Sequence, residues 1–140
     1  MTVLQYDPKQ VSLIIGGHIV TGFADDDFIE VERDEDAFTK KTGVDGITTR
    51  AKVNTRTGHL TVRLMQSSAS NDILTGFALK DEASNGGQVP ILCKDGLGRS
   101  VFSSESGWVK KFPKSTWKKD VNQWEWTIET GALDIFLGGN

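Results

Sequence analysis

The side chains best suited to chemistry in this 140-residue chain are two histidines, one cysteine, three adjacent aspartates and a glycine-rich turn. Their spacing assembles none of them into a reacting group. His18 and His59 each sit in or beside a strand pattern with no partner at metal-ligand spacing, so a structural or surface role fits them better than ligation or base catalysis. Cys93 is the only cysteine, which excludes an intramolecular disulfide and a cysteine-based zinc site and predicts a reduced thiol in a strand. Asp25, Asp26 and Asp27 lack the regular spacing and the glycine of a calcium loop and read as a solvated turn. The segment DGLGRS, Asp95 to Ser100, lacks the lysine and the following helix of a phosphate loop and reads as a β-turn. With no nucleophile elbow and no serine, histidine and acid set at a usable spacing, no enzyme activity, metal or cofactor is expected.

Trp108, Trp117, Trp124 and Trp126 are the one cluster with binding potential. Trp124 and Trp126 lie two apart in a strand pattern, so their rings face the same way, as core residues, as anchors of a protein interface, or as a stacking platform for sugars or bases. Charge is uneven along the chain. Residues 1 to 46 hold ten acids against four bases, whereas residues 107 to 119 hold five lysines (Lys110, Lys111, Lys114, Lys118, Lys119) and no acid. Such a split fits either head-to-tail contact between copies or two independently solvated faces.

These residues need elements to position them. The length fits one domain, 1 to 140, with one core, and the 37% hydrophobic content is low enough that neighbours would help complete it. The opening MTVLQYDPKQ has neither a basic n-region nor an apolar run, and no segment nears the ~20 apolar residues of a membrane span, which predicts a soluble protein made in the cytoplasm. VSLIIGGHIV predicts strands at Gln10 to Ile15 and His18 to Gly22 about a Gly-Gly turn. Phe28 to Arg33 alternates Ile29 and Val31 with Glu30 and Glu32, a half-exposed strand. Asp34 to Gly46, rich in charge and poor in apolar residues, predicts a long projecting loop. Strands at Ile47 to Asn54 and His59 to Gln66 then predict a hairpin turning at Thr55 to Gly58, with a basic outward face of Arg50, Lys52 and Arg63. Those cations could pair within the sheet or across a subunit boundary. Ser68 or Ser70 caps a helix over Asn71 to Asp81, with Ile73, Leu74, Phe77 and Ala78 as its apolar stripe, Gly76 marking close packing, and Gly86 and Gly87 ending it. Strands follow at Val89 to Lys94, Arg99 to Ser104, Gly107 to Pro113 and Val121 to Thr130. Many strands and one helix predict a mainly β fold, an antiparallel β-sandwich or barrel.

Several segments, in order along nearly the whole chain, resemble the tail tube proteins of tailed bacteriophages, a small structural family typical of contractile tails. They are VDGITTR, TGHLTVRLMQSS, the SNDIL helix start, Val89-Pro90-Ile91 with the Asp95-Gly96 turn, Gly107-Trp108-Val109, Lys111-Phe112-Pro113, the Trp-x-Trp strand and the terminal Phe136-Leu137-Gly138-Gly139-Asn140. The resemblance implies a β-sandwich protomer, hexameric rings stacked helically into a hollow tube, and a virion tail location. It places the loop with Asp34, Glu35, Asp36, Phe38, Lys40, Lys41 and Asp45 between rings. It implies partners in a sheath or outer tail protein, a tape measure protein, a baseplate and a tail terminator, with DNA passing through the lumen unbound. A conduit must not hold its cargo, because each lysine on a phosphate adds a salt-dependent sticking point. Glu30, Glu32, Glu125, Glu129 and Asp134 are therefore the candidate lumen acids, with the Lys110 to Lys119 cluster turned outward or toward a neighbouring ring. Arg50, Lys52, Arg63, Trp108, Trp124 and Trp126 are the candidate interface residues. The alternatives are the tube of a phage-derived contractile injection system and a β-sandwich module binding glycans or peptides through its tryptophans.

Overall fold

A computed structural model describes residues 2 to 139, so Asn140 of the terminal motif lies outside the described residues. The chain enters through a single 3-10 turn, Pro8–Gln10, and continues as β1 (Val11–Ile15), β2 (His18–Ile19), β3 (Ile29–Arg33), β4 (Phe38–Thr42), β5 (Thr48–Lys52) and β6 (Thr57–Met65). The helix α1 (Ser70–Ser84) follows, then β7 (Val89–Asp95), β8 (Val101–Lys111), β9 (Gln123–Ala132) and β10 (Asp134–Phe136). Eight strands form one antiparallel sheet in the order β2-β1-β7-β8-β9-β6-β3, with β10 also on β8. β4 and β5 form a separate two-stranded ribbon.

The large sheet curls so that its two halves share one apolar cluster. Leu13 and Ile15 of β1 and Ile91 and Cys93 of β7 join Leu60, Val62 and Leu64 of β6 and Trp126 and Ile128 of β9. Alternation dictates which side chains meet there: β6 buries every second residue, Gly58 to Leu64, and sends His59, Thr61 and Arg63 the other way. The bend runs through β8, whose pairing shifts register against both β7 and β9. What looks in sequence like two strands, Arg99 to Ser104 and Gly107 to Pro113, is this one bulged strand. A side chain at Gly107 would collide with Ile91, so glycine permits the crossing.

Gly16 and Gly17, with φ of 59° and 83°, make the expected turn between β1 and β2. α1 covers the sheet with Leu74 and Ala78 buried and Phe77 half-buried, while Ile73 of the anticipated stripe stays exposed. Its start is fixed by serines: the Ser70 amide donates to Ser68 Oγ at 3.2 Å, and Ser70 Oγ accepts from the Thr21 amide at 2.9 Å. Asn71 in the first turn accepts from Trp126 Nε1 at 2.9 Å, which satisfies the indole at the centre of the core. The helix runs one turn past Asp81 and ends at Asn85, whose left-handed φ of 58° does what was expected of Gly86.

Two further groups of expectations are overturned. The stretch Asp34 to Gly46 is not a loop without structure, because Phe38–Thr42 pairs with Thr48–Lys52 from Phe38 opposite Lys52 to Thr42 opposite Thr48. Consequently β5 and β6 are not a hairpin; β6 lies between β3 and β9. The alternation of Ala51 and Val53 with Arg50 and Lys52 marks a strand but not a buried face, since all ten residues of the ribbon are exposed. Gly58 is no turn glycine either: it lies in β6, where an added Cβ would sit 2.7 Å from the Glu32 carbonyl oxygen. The second correction concerns Gly76, which is exposed with nothing within 4 Å of a built Cβ. Gly76→Ala is therefore expected to stabilise the isolated protomer by about 0.5–1 kcal/mol in urea unfolding; a lower midpoint would contradict the open surroundings.

Candidate assembly surfaces

The core-averted face of β3, β6 and β9 carries four of the five candidate lumen acids together with Arg63. Register places Glu30 opposite Thr61 and Thr61 opposite Thr127, Glu32 opposite His59 and His59 opposite Glu129, and Arg63 opposite Glu125. Four carboxylates, Glu30, Glu32, Glu125 and Glu129, thus share one face with Arg63. Lys110 also reaches it, with Nζ 3.6 Å from Glu129. Of the basic strand residues, Arg63 makes its contacts within the protomer, donating to Glu125 at 3.1 Å, to Glu30 at 3.4 Å and to the Asp27 carbonyl at 3.1 Å. Partial burial works against its charge, but the Glu125 and Glu30 carboxylates outweigh that and lift its pKa above the ordinary arginine value. Asp134, the fifth candidate acid, sits elsewhere, on β10, paired with Arg56.

The β4–β5 ribbon is an arm with a fixed root. The Asp34 amide donates to the Thr57 carbonyl at 3.1 Å, and its carboxylate meets Thr57 Oγ1 at 2.9 Å and His59 Nδ1 at 2.8 Å. Arg33 donates twice to the Leu133 carbonyl, at 3.2 and 2.7 Å, and the Leu133 amide donates to the Arg56 carbonyl at 2.8 Å. Both ends of the arm are thereby tied to β6 and to the β9–β10 junction. Of the residues assigned to the inter-ring loop, Asp34 anchors the arm, Glu35 and Asp36 lead into it, Phe38, Lys40 and Lys41 lie on β4, and Asp45 lies in its turn. Along the arm the Arg50 guanidinium stacks 4.2 Å from the Phe38 ring centroid, and the Thr42 and Thr48 hydroxyls meet at 2.9 Å. At the tip Val44 is fully exposed and Ile47 is 66% exposed.

The tryptophans separate. Trp126 is 1% exposed and belongs to the protomer's own core, so it presents no surface to a neighbour. Trp124 is half-buried with Trp117 edge-on at 6.0 Å, and Trp108 is half-buried opposite Glu129 on β8. Among the other lysines of the cluster, Lys111 ends β8, and Lys114, Lys118 and Lys119 follow in the exposed, irregular chain before β9. Sequence reasoning missed the arm root: Arg33, Arg56, Thr57 and Leu133 lie up to 100 residues apart, and only the sheet register brings them together.

Three solved structures share this architecture. The sheath-tube complex of the extracellular contractile injection system PVC in its extended state superimposes with a TM-score of 0.62, covering 94% of this chain and 91% of that one. The tube-terminating cap of the anti-feeding prophage gives 0.60 over 97% and 93%. The PVC sheath/tube terminator in the extended state gives 0.57 over 98% and 100%. Each is 8% identical in sequence, so the likeness defines the class of fold, that of injection-system tube and terminator proteins. Sequence narrows it. Residues 15–138 match the family described as Bacteriophage PhiTE tail tube protein. The chain is also 33% identical over 143 residues to structural protein ORF10 of Pseudomonas phage KPP10, covering 96% of this chain and 83% of that relative. The chain belongs to this phage tail tube family and is a structural tail component.

Asp34 supplies a check on the arm root. Hydrogen bonds from His59 and then Thr57 hold its pKa below the ordinary carboxylate value. A depressed folded-state pKa contributes stability that is full above the unfolded value and lost as the pH falls through the folded one. Asp34→Asn is expected to lower stability near neutral pH by at most about 1 kcal/mol, given the exposure of the pair. The deficit should vanish in acid, read by thermal unfolding across pH; a deficit independent of pH would contradict the ionic contribution.

Proposed function

We propose that six copies of this chain close into a ring, that rings stack helically into the tail tube, and that the tube conducts phage DNA without binding it. The observation that carries this reading is the gathering of Glu30, Glu32, Glu125 and Glu129 on the core-averted face of β3, β6 and β9, a surface suited to face the lumen. The four carboxylates outnumber Arg63 and Lys110 on this face, and both cations are already paired with them, so the surface repels phosphate and offers a passing duplex little to hold. The sheet ends at β3 on one side and at the two-residue β2 on the other. Open edges of this kind invite pairing with further strands, and identical neighbours in a ring would occupy them. The outer surface would meet a sheath or outer tail protein, and the ends of the tube a baseplate and a terminator, with a tape measure protein in the lumen during assembly. The fold likeness to injection-system tubes keeps a second cargo in view: a related tube could eject protein instead of DNA.

Electron microscopy of the purified, assembled protein is expected to show hollow tubes with six-fold rings. Glu32→Lys combined with Glu129→Lys is expected to leave the tubes intact and make them retain duplex DNA in a steeply salt-dependent manner, where the unmodified tube retains none. Tubes of another symmetry, or DNA retention indifferent to these substitutions, would overturn the lumen assignment.

A further inference from the structure

At the N-terminal end of β3 the sheet leaves a cleft of about 660 Å³, within the roughly 300–1,000 Å³ of clefts that enclose a guest group. Val11, Phe28, Ile29, Val31, Cys93 and Phe102 give it apolar walls. Burial raises the Cys93 thiol pKa to about 11, a sign of how dry that wall is. Its rim is acidic, with Asp25, Asp26, Asp27 and Glu30. The arm leaves the opposite, C-terminal end of the same strand, after Arg33. It has the complementary character: an apolar tip, Val44 and Ile47, flanked by Lys40, Lys41, Arg50 and Lys52, with Asp45 the one acid between Phe38 and Lys52.

We propose that the arm of one protomer inserts Val44 and Ile47 into this cleft on a second copy in the adjoining ring, with its lysines and Arg50 meeting Asp25, Asp26 and Asp27. The inference rests on the stacked-ring reading above and names the receptor that reading lacks. Three features favour a second copy over any other guest. A two-stranded ribbon exposed along its whole length is marginal alone and gains from a surface to lie on. Val44 and Ile47 together leave two large apolar side chains in water at the arm's tip, and burial in an apolar cleft on a neighbour would remove that cost. Donor and acceptor lie at opposite ends of β3, the head-to-tail arrangement that propagates along an axis instead of closing a dimer. Opposite charges at the rim then set the register and reject wrong pairings.

The test uses cysteine reporters in a Cys93→Ala background. Tubes assembled from a mixture of Val44→Cys and Asp26→Cys protomers are expected to give disulfide-linked dimers on oxidation. Mixtures of Val44→Cys with Lys110→Cys, and either cysteine variant alone, should not. As a second measurement, Lys40→Glu with Lys41→Glu is expected to cut tube yield by about tenfold or more, and pairing it with Asp25→Lys and Asp26→Lys should restore it. Tubes that form normally while Val44→Cys crosslinks to Lys110→Cys, or to nothing, and a charge reversal without rescue, would overturn the cleft as receptor and leave the tube standing. A wild-type protein that forms no tubes would overturn both.

Discussion

Closure of one antiparallel sheet on its own apolar face, with Trp126 at the centre, is the constraint on which the remaining structure rests. Burying an indole and the leucine, isoleucine and valine side chains around it contributes roughly 1.5–3 kcal/mol for each large residue. That gain exists only while the bulged β8 turns one half of the sheet toward the other. The indole nitrogen would oppose burial if left unpaired, and the Asn71 carbonyl at 2.9 Å removes that cost while tying the helix to the sheet. Because period-two alternation admits no slip, the same closure sends Glu30, Glu32, Glu125 and Glu129 to the far face together.

Packing and function therefore divide along one strand. β3 gives Ile29 and Val31 to the core side and Glu30 and Glu32 to the acidic face. Its first residues line the cleft, and its last hold the arm root. The described residues divide into a self-packed body and an extension that buries nothing. Here the body is the curled sheet with α1, and the arm is a ribbon with no buried residue of its own.

The sequence makes the body legible because its strands are half-buried. β3 and β6 alternate, and β1, β7 and β9 carry short runs of strand-forming residues, enough to place each within a few residues, and the Gly-Gly turn is where it should be. The arm is illegible for the converse reason. Burial is what turns an apolar pattern into a face, and β4 and β5 bury nothing, so the charged half reads as loop and the alternating half is credited to the wrong partner. Glu30 and Glu32 could be assigned to one face from β3 alone, but their meeting with Glu125 and Glu129 depends on β3 pairing with β6 about 30 positions on and β6 pairing with β9 about 60 to 70 positions on. Trp126 shows the limit from the other side: spacing aligned it with Trp124, and only the packing shows that it is spent on the core.

Replacing residues 36–54 with a short glycine-serine turn tests most directly the claim that an autonomous body carries an assembly arm. The stems at Arg33, Asp34 and Arg56 to Gly58 keep their bonds to β6 and Leu133 in such a variant. The expected result is a protomer with a two-state unfolding transition close to that of the full chain and no stacked tubes at any concentration. Stacked tubes of ordinary length from the armless protein, or a protomer that no longer folds, would contradict the account.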